Sequence, residues 1–433
     1  MRLLDRTALG GPIARATLRT SLVLGLRLVV QAGTLLVVAR MLGPEQFGAF
    51  AGVAALAVVL GTLSTLGTHL VLLGEVSREP ACRQKVLSYA LPSTLACGSA
   101  LLVLYILVCT LALANAGVAI QVLMAIGVTE TLLQPLFSFS AMEQLALGRT
   151  ARSQLLTTLP LALRLTAAVI VLLLHPDNPL AAYGYGYMLA SLIALSFATL
   201  TMPARWPSPE RWRRISRAEL RNTAGYAALA ITATSPAELD KTLAARLLPL
   251  GAAGLYAVSA RVIGATMLPV IAMMLSALPR LFREGQDQIK RTAHLLRWVF
   301  GAAFVYSVAL AALLWFAAPA FAWLFGAKYH GIEHFIHWLC LAIPGIALRL
   351  AAGSVLMALG KPWMRATFEA IGLGVMLAAA IPLTARLGPT GMPLALACSE
   401  WVMTLIGWFL VFACIRTGRR AGPQDHTKIP RNY

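Results

Sequence analysis

Polar and apolar residues along this chain fall into blocks rather than alternating with the short periods of a soluble domain. About twelve uninterrupted apolar stretches, each long enough at roughly 20 residues to cross a bilayer as a helix, occupy positions 18–40, 46–73, 86–113, 116–142, 153–174, 180–202, 223–247, 252–279, 293–317, 330–358, 366–386 and 391–415. The pattern predicts an all-α polytopic membrane protein. The first stretch follows Arg2, Arg6, Arg15 and Arg19 and has no small-residue cleavage site before polar sequence, so it reads as a retained helix and not a signal peptide.

One connection is long and polar. It runs over 203–222, carries Pro203, Pro207 and Pro209, and includes Arg211, Arg213, Arg214 and Arg217. Six stretches precede it and six follow. The expected organisation is an N-terminal six-helix bundle over 1–202, a basic cytoplasmic linker over 203–222, and a C-terminal six-helix bundle with a tail over 223–433. The two halves also echo each other. Residues 39–54 align with 245–260 without a gap, and Ala39, Arg40, Leu42, Gly48, Ala51 and Ala54 recur as the same residue types; Ala146-Leu147-Gly148-Arg149 returns as Ala358-Leu359-Gly360-Lys361. An even number of spans separates equivalent helices, so the repeats share one orientation and are related by an axis along the membrane normal. A duplicated membrane body is the sequence mark of a transporter.

Composition agrees: 59% of residues are hydrophobic and only 12% charged, which requires lipid as solvent for most of the chain. The net charge of +19 would indicate nucleic acid in a soluble protein. Here it is a topology signal. With the N-terminus in the cytoplasm, the clusters at Arg78–Lys85, Arg149–Arg152, Arg205–Arg221, Arg280–Arg297, Lys361–Arg365 and Arg416–Arg431 are all cytoplasmic, whereas Arg40, Arg246, Lys328 and Arg386 lie at outer helix ends. The excess of Lys and Arg on one side places both termini in the cytoplasm and removes nucleic acid as a partner. The six cysteines show no close pairing, which supports neither a disulfide framework nor a zinc knuckle. Short outer loops leave no room for the acceptor-binding domain that a membrane glycosyltransferase or polymerase needs.

Five basic residues remain inside apolar stretches: Arg27, Arg164, Lys241, Arg261 and Arg349. Each costs about 2.5–3.5 kcal/mol at a lipid-exposed helix centre, so they are expected to face a polar interior. Glu130, Glu238, Asp240, Glu369 and Glu400 lie at similar depth. Glu238 precedes Lys241 by three residues and can pair with it along the helix. Arg27, Gln31 and Thr34 share one helix face, as a hydrogen-bond network between helices or as substrate contacts lining a cavity. Pro236, just before Asp240-Lys241, places a loosened turn beside charge, as hinge or as packing. Arg164 and Arg349, each flanked by leucines, read either as substrate contacts or as snorkelling or paired residues, with Glu130 and Glu400 as the partners. Arg40 and Arg246 are expected to snorkel.

Three local motifs carry less. His330-Gly331-Ile332-Glu333-His334 matches an inverted zinc-protease pattern, but it opens an apolar helix at the outer surface without a recognisable third ligand, so an interfacial histidine cluster is the better reading. Gly184-Tyr185-Gly186-Tyr187 lacks the pore helix of a potassium filter. No phosphate-binding Walker loop occurs, so uphill movement would draw on an ion gradient, a substrate gradient or a partner. No cofactor is expected.

The run Val38-Ala39-Arg40-Met41-Leu42-Gly43-Pro44-Glu45-Gln46-Phe47-Gly48-Ala49-Phe50 resembles the first hairpin of bacterial O-antigen and exopolysaccharide flippases. Leu239-Asp240-Lys241, Gly254-Leu255-Tyr256 and Arg261 resemble the seventh and eighth helices of that family, and the glycine-basic turns at Gly148-Arg149 and Gly360-Lys361 fit as well. The resemblance covers essentially the whole chain. It implies the fold of the multidrug, oligosaccharidyl-lipid and polysaccharide exporter superfamily, two six-helix bundles around a cleft that opens alternately to either side, and a non-enzymatic flippase for undecaprenyl-diphosphate-linked glycan in the bacterial inner membrane. Polysaccharide polymerase and chain-length regulator are the implied protein partners. The expected substrate-binding set is Arg27, Lys241 and Arg261 on the diphosphate, with Gln31, Arg164 and Arg349 as further contacts; Asp240, Glu130 and Glu238 are the ion-coupling set. A lipid II role is disfavoured by twelve spans instead of fourteen. A cation-coupled multidrug exporter of the same superfamily is the alternative, kept open by the buried carboxylates, although buried guanidinium groups suit an anionic headgroup better.

Overall fold

The computed structural model describes residues 12–202, 204–271, 273–274 and 289–420. Among them there is no strand, and the helices make twelve passes in two pseudo-symmetric six-helix bundles. Helix α1 (Pro12–Ser64) supplies the first pass and most of the second, because it breaks at Gly43. There φ is +70°, a left-handed conformation that only glycine adopts without strain, and Pro44 has no N–H to continue the ladder. The second pass turns again at Leu66 and Gly67, both with positive φ, before α2 (Thr68–Arg78).

Passes three to six are α3 (Arg83–Ala112), then α4 (Ile120–Val128) with α5 (Gln134–Ala146), α6 (Thr150–Leu174) and α7 (Pro179–Leu200). Between α4 and α5 the chain widens to a π turn over Thr129–Leu133. Pro135 explains this, since its missing N–H leaves carbonyls of that turn without a helical donor. The neighbouring helices have glycines facing those carbonyls: a Cβ at Gly61 would collide with Glu130 O and one at Gly98 with Thr131 O.

The second bundle begins with α8 (Arg217–Leu247), which extends the apolar stretch over 223–247 by a charged first turn started by a capping box between Ser216 and Glu219. The expected connection over 203–222 is thus partly helix. Then come α9 (Leu250–Thr266), α10 (Ile289–Phe325), a tenth pass bent by 48° between α11 (Ile332–Cys340) and α12 (Ile343–Ala358), α13 (Pro362–Leu387) and α14 (Gly391–Arg420).

The remainder of the connection is docked, not free. Arg83 donates to Ala204 O (2.8 Å) and Arg205 O (3.0 Å) while pairing with Glu143 at 2.8 Å. Trp206 and Ile215 pack on Leu72, Val86, Leu87 and Phe139 of the first bundle. We call this the linker end, and the opposite end, where Gly43 and Leu248-Pro249 turn, the hairpin end.

Candidate functional site

The largest contact between bundles is made by α1 against α8 and α9, and charged side chains gather along it. Pro236 interrupts the donor series of α8, and one turn later Lys241 is 5% exposed with Asp240 2% exposed. The ammonium lies 3.3 Å from Asp240 and 3.4 Å from Glu238, and also donates to Ala237 O. Asp240 in turn accepts from Tyr256 Oη of α9 at 2.8 Å. The i, i+3 pair expected from spacing therefore exists, but Lys241 faces two carboxylates. The three residues together carry a formal charge of −1.

Arg261, five residues further along α9 than Tyr256, differs. Its guanidinium sits over the Phe47 ring of the other bundle at 5.7 Å, within the range of a cation–π contact. Among the described residues no carboxylate lies within 4 Å of Arg261 or of Arg27, and both are half-buried. At 1.5 Å per residue, Arg27 lies about 22 Å below Leu42 and Arg261 about 16 Å below Leu250, so both stand deeper from the hairpin end than Lys241. Gln31 is exposed, and Thr34 bonds back to Val30 O (2.7 Å), so among the described residues the polar stripe of the first pass makes no hydrogen bond to another helix there.

Arg164 and Arg349 are placed elsewhere. Arg164, 7% exposed, is 3.1 Å from Glu130, donates to Ser191 Oγ at 2.9 Å, and lies 3.7 Å from the Tyr187 ring centroid. Tyr187 Oη also donates to Glu130. Arg349 donates to Glu400 at 2.6 Å and stands 3.6 Å from Glu369, which also accepts from Arg365 at 3.0 Å. Each pairing stays inside one bundle. Of the two alternatives weighed from sequence, the structure brings together Arg164 with Glu130 and Arg349 with Glu400. No sequence pattern assigns Tyr187, Ser191 and Tyr256 to these charged groups, although Tyr183, Tyr187 and Ser191 recur every four residues and mark one helix face.

His337 bonds Trp315 O (3.0 Å) and stacks on the Trp315 ring, while His334 meets Phe335 and Trp338 edge-on. This is an aromatic-histidine cluster, and among the described residues no group of three or more metal-ligating side chains converges.

A family model described as polysaccharide biosynthesis protein matches residues 13–284, well over half of the chain. The chain belongs to that family. No curated protein sequence matches it. Among solved structures, this family member is similar to an inward-facing multidrug resistance MATE family transporter of the MOP superfamily, with a TM-score of 0.77 at 13% identity, covering 91% of this chain and 96% of that one. It is also similar to a MOP superfamily transporter from Pyrococcus furiosus Vc1 described for the reverse polarity of its binding pocket (TM-score 0.66, 14% identity, 96% and 100% covered). A third likeness is to the lipid II flippase MurJ in an inward closed conformation (TM-score 0.69, 12% identity, 92% and 89% covered). The exporter fold expected from the resemblance is thus the fold observed.

Proposed function

We propose that this polysaccharide-biosynthesis protein is a flippase that carries undecaprenyl-diphosphate-linked oligosaccharide across the bacterial inner membrane by alternating access, without catalysing a covalent step, for surface polysaccharide assembly. The observation that carries the reading is that Arg27 and Arg261, on passes from different bundles, hold guanidinium groups without a carboxylate partner among the described residues. A diphosphate crossing a low-dielectric slab needs such donors, and guanidinium offers them in bidentate geometry.

In this reading Lys241 is a conditional donor. Its two carboxylates compete with a phosphate, and a proton or sodium ion taken up by Glu238 or Asp240 would free it, which couples ion entry to headgroup binding. Glu130 is less suited to that role because Arg164 and Tyr187 already hold it. Gln31 would meet the glycan. The linker end and both termini face the cytoplasm, and polymerase and chain-length regulator receive the product on the far side.

Replacing Arg27 or Arg261 by Ala should abolish surface polysaccharide at normal protein abundance, with lipid-linked oligosaccharide accumulating in the cytoplasmic leaflet. Intact export in both variants would refute the electrostatic cradle. The net negative triad around Lys241 favours a second reading, cation-coupled multidrug export. It requires that deletion sensitise cells to cationic dyes and leave surface glycans unchanged.

A further inference from the structure

The repeated hairpin is not only duplicated; its two copies meet. Gly48 and Gly254 are equivalent positions of the aligned repeats, and they pack backbone to backbone across the bundle interface. A Cβ on Gly48 would lie 2.7 Å from Gly254 N and 3.2 Å from Gly254 Cα, and a Cβ on Gly254 would strike the Pro44 carbonyl. One turn further, Gly52 lies on Ala245, and Thr242 donates to Gly52 O at 2.9 Å.

A second, independent set of contacts repeats the symmetry. Ala39 and Ala245 are also equivalent, and each has its carbonyl capped by a side chain from a loop of the opposite bundle. Tyr329, between the ninth and tenth passes, donates to Ala39 O at 2.9 Å. Asn115, between the third and fourth passes, donates to Ala245 O at 3.0 Å. Ala245 O needs this donor, because the residue four further on is Pro249, which has no N–H. Arg40 adds a third bond across the interface, donating to Leu324 O at 2.6 Å in the last turn of α10, where carbonyls have no helical partner.

From these contacts we propose that the Gly48–Gly254 seam and the two reciprocal caps form a symmetric latch that holds the hairpin end closed, and that the latch must release for that end to open. Neither component can yield gradually: the seam depends on two absent side chains, and each cap is a single bond, the one at Ala245 made to a carbonyl that Pro249 leaves without a helical donor. Release of one bundle therefore removes both caps together.

The test uses distance, so it is independent of what the protein carries. Glu45 and Gly251 face each other across the seam, a Cβ on Gly251 lying 3.7 Å from Glu45 Cγ. In a chain whose six native cysteines are replaced, a Glu45→Cys, Gly251→Cys pair in membranes should cross-link rapidly under mild oxidation. Adding Gly48→Ala should lower the initial cross-linking rate about tenfold. This factor corresponds to about 1.4 kcal/mol. Asn115→Ala and Tyr329→Phe are milder changes that preserve the fold, and each should lower the rate about threefold, with a larger effect together. Unchanged rates in all these backgrounds at normal membrane abundance would overturn the latch. If the rates fall as expected while Arg27→Ala and Arg261→Ala still export polysaccharide, the latch stands and the electrostatic cradle falls.

Discussion

Arg164 shows how a buried charge is tolerated in a membrane body. Its guanidinium is neutralised by Glu130, hydrogen-bonded by Ser191 and covered by the Tyr187 ring, so removing it leaves a carboxylate without a counter-charge in low dielectric. Breaking such a pair costs about 3–5 kcal/mol, whereas replacing both partners by apolar residues can be neutral. Arg164→Ala should therefore lower the unfolding temperature of the detergent-solubilised protein by several degrees, and Arg164→Leu with Glu130→Leu should recover most of the loss. Normal stability with lost export in Arg164→Ala would instead make Arg164 a substrate contact. The distinction was only half legible in the sequence. Arg164 and Glu130 are 34 residues apart, so the sequence offers Glu130 and Glu400 as candidate partners for Arg164 and Arg349 without fixing which goes with which; Glu238 and Lys241, three apart on one helix, could be paired by spacing alone.

At the level of elements, the passes were legible because apolar runs of about 20 residues have no other stable solution in lipid. Departures from straight helices were less so. Pro44 and Gly43 announce the first break, but the π turn at Glu130 depends on Pro135 acting together with glycines on two other helices, and no local pattern reports that. The polar connection was recognised as polar, while its docking was hidden, since Trp206 and Arg83 find their partners only in the folded bundle. Its far end is an electrostatic joint. Arg213 pairs with Glu219 through both carboxylate oxygens, at 2.9 and 2.5 Å, and holds its pKa down to about 2, aided by the Ser216 cap. The folded pKa lies below the value of about 4.3 in an unfolded chain. The joint's contribution is therefore complete above that value and is lost as pH falls toward 2. Amide protection factors in the first turn of α8 should fall through that window in the native protein, and the step should be absent in Glu219→Gln.

For the whole molecule, the asymmetric distribution of Lys and Arg gives a direct test of sidedness. A cysteine at Lys328, at the hairpin end, should react with a membrane-impermeant maleimide in spheroplasts, and one at Arg211, at the linker end, only after lysis. The opposite labelling would reverse the direction of transport drawn above. The two bundles also differ in where they carry charge. At the alignment set by Ala146–Arg149 and Ala358–Lys361, Arg164 falls opposite Met376 and Arg349 opposite Phe137, so the internal ion pairs of the two bundles occupy unrelated positions, whereas Gly48 and Gly254 coincide. A contact between equivalent positions asks the same small residue of both bundles at once, so Gly48 and Gly254 are constrained as a pair, whereas each internal ion pair is constrained only by the bundle that holds it.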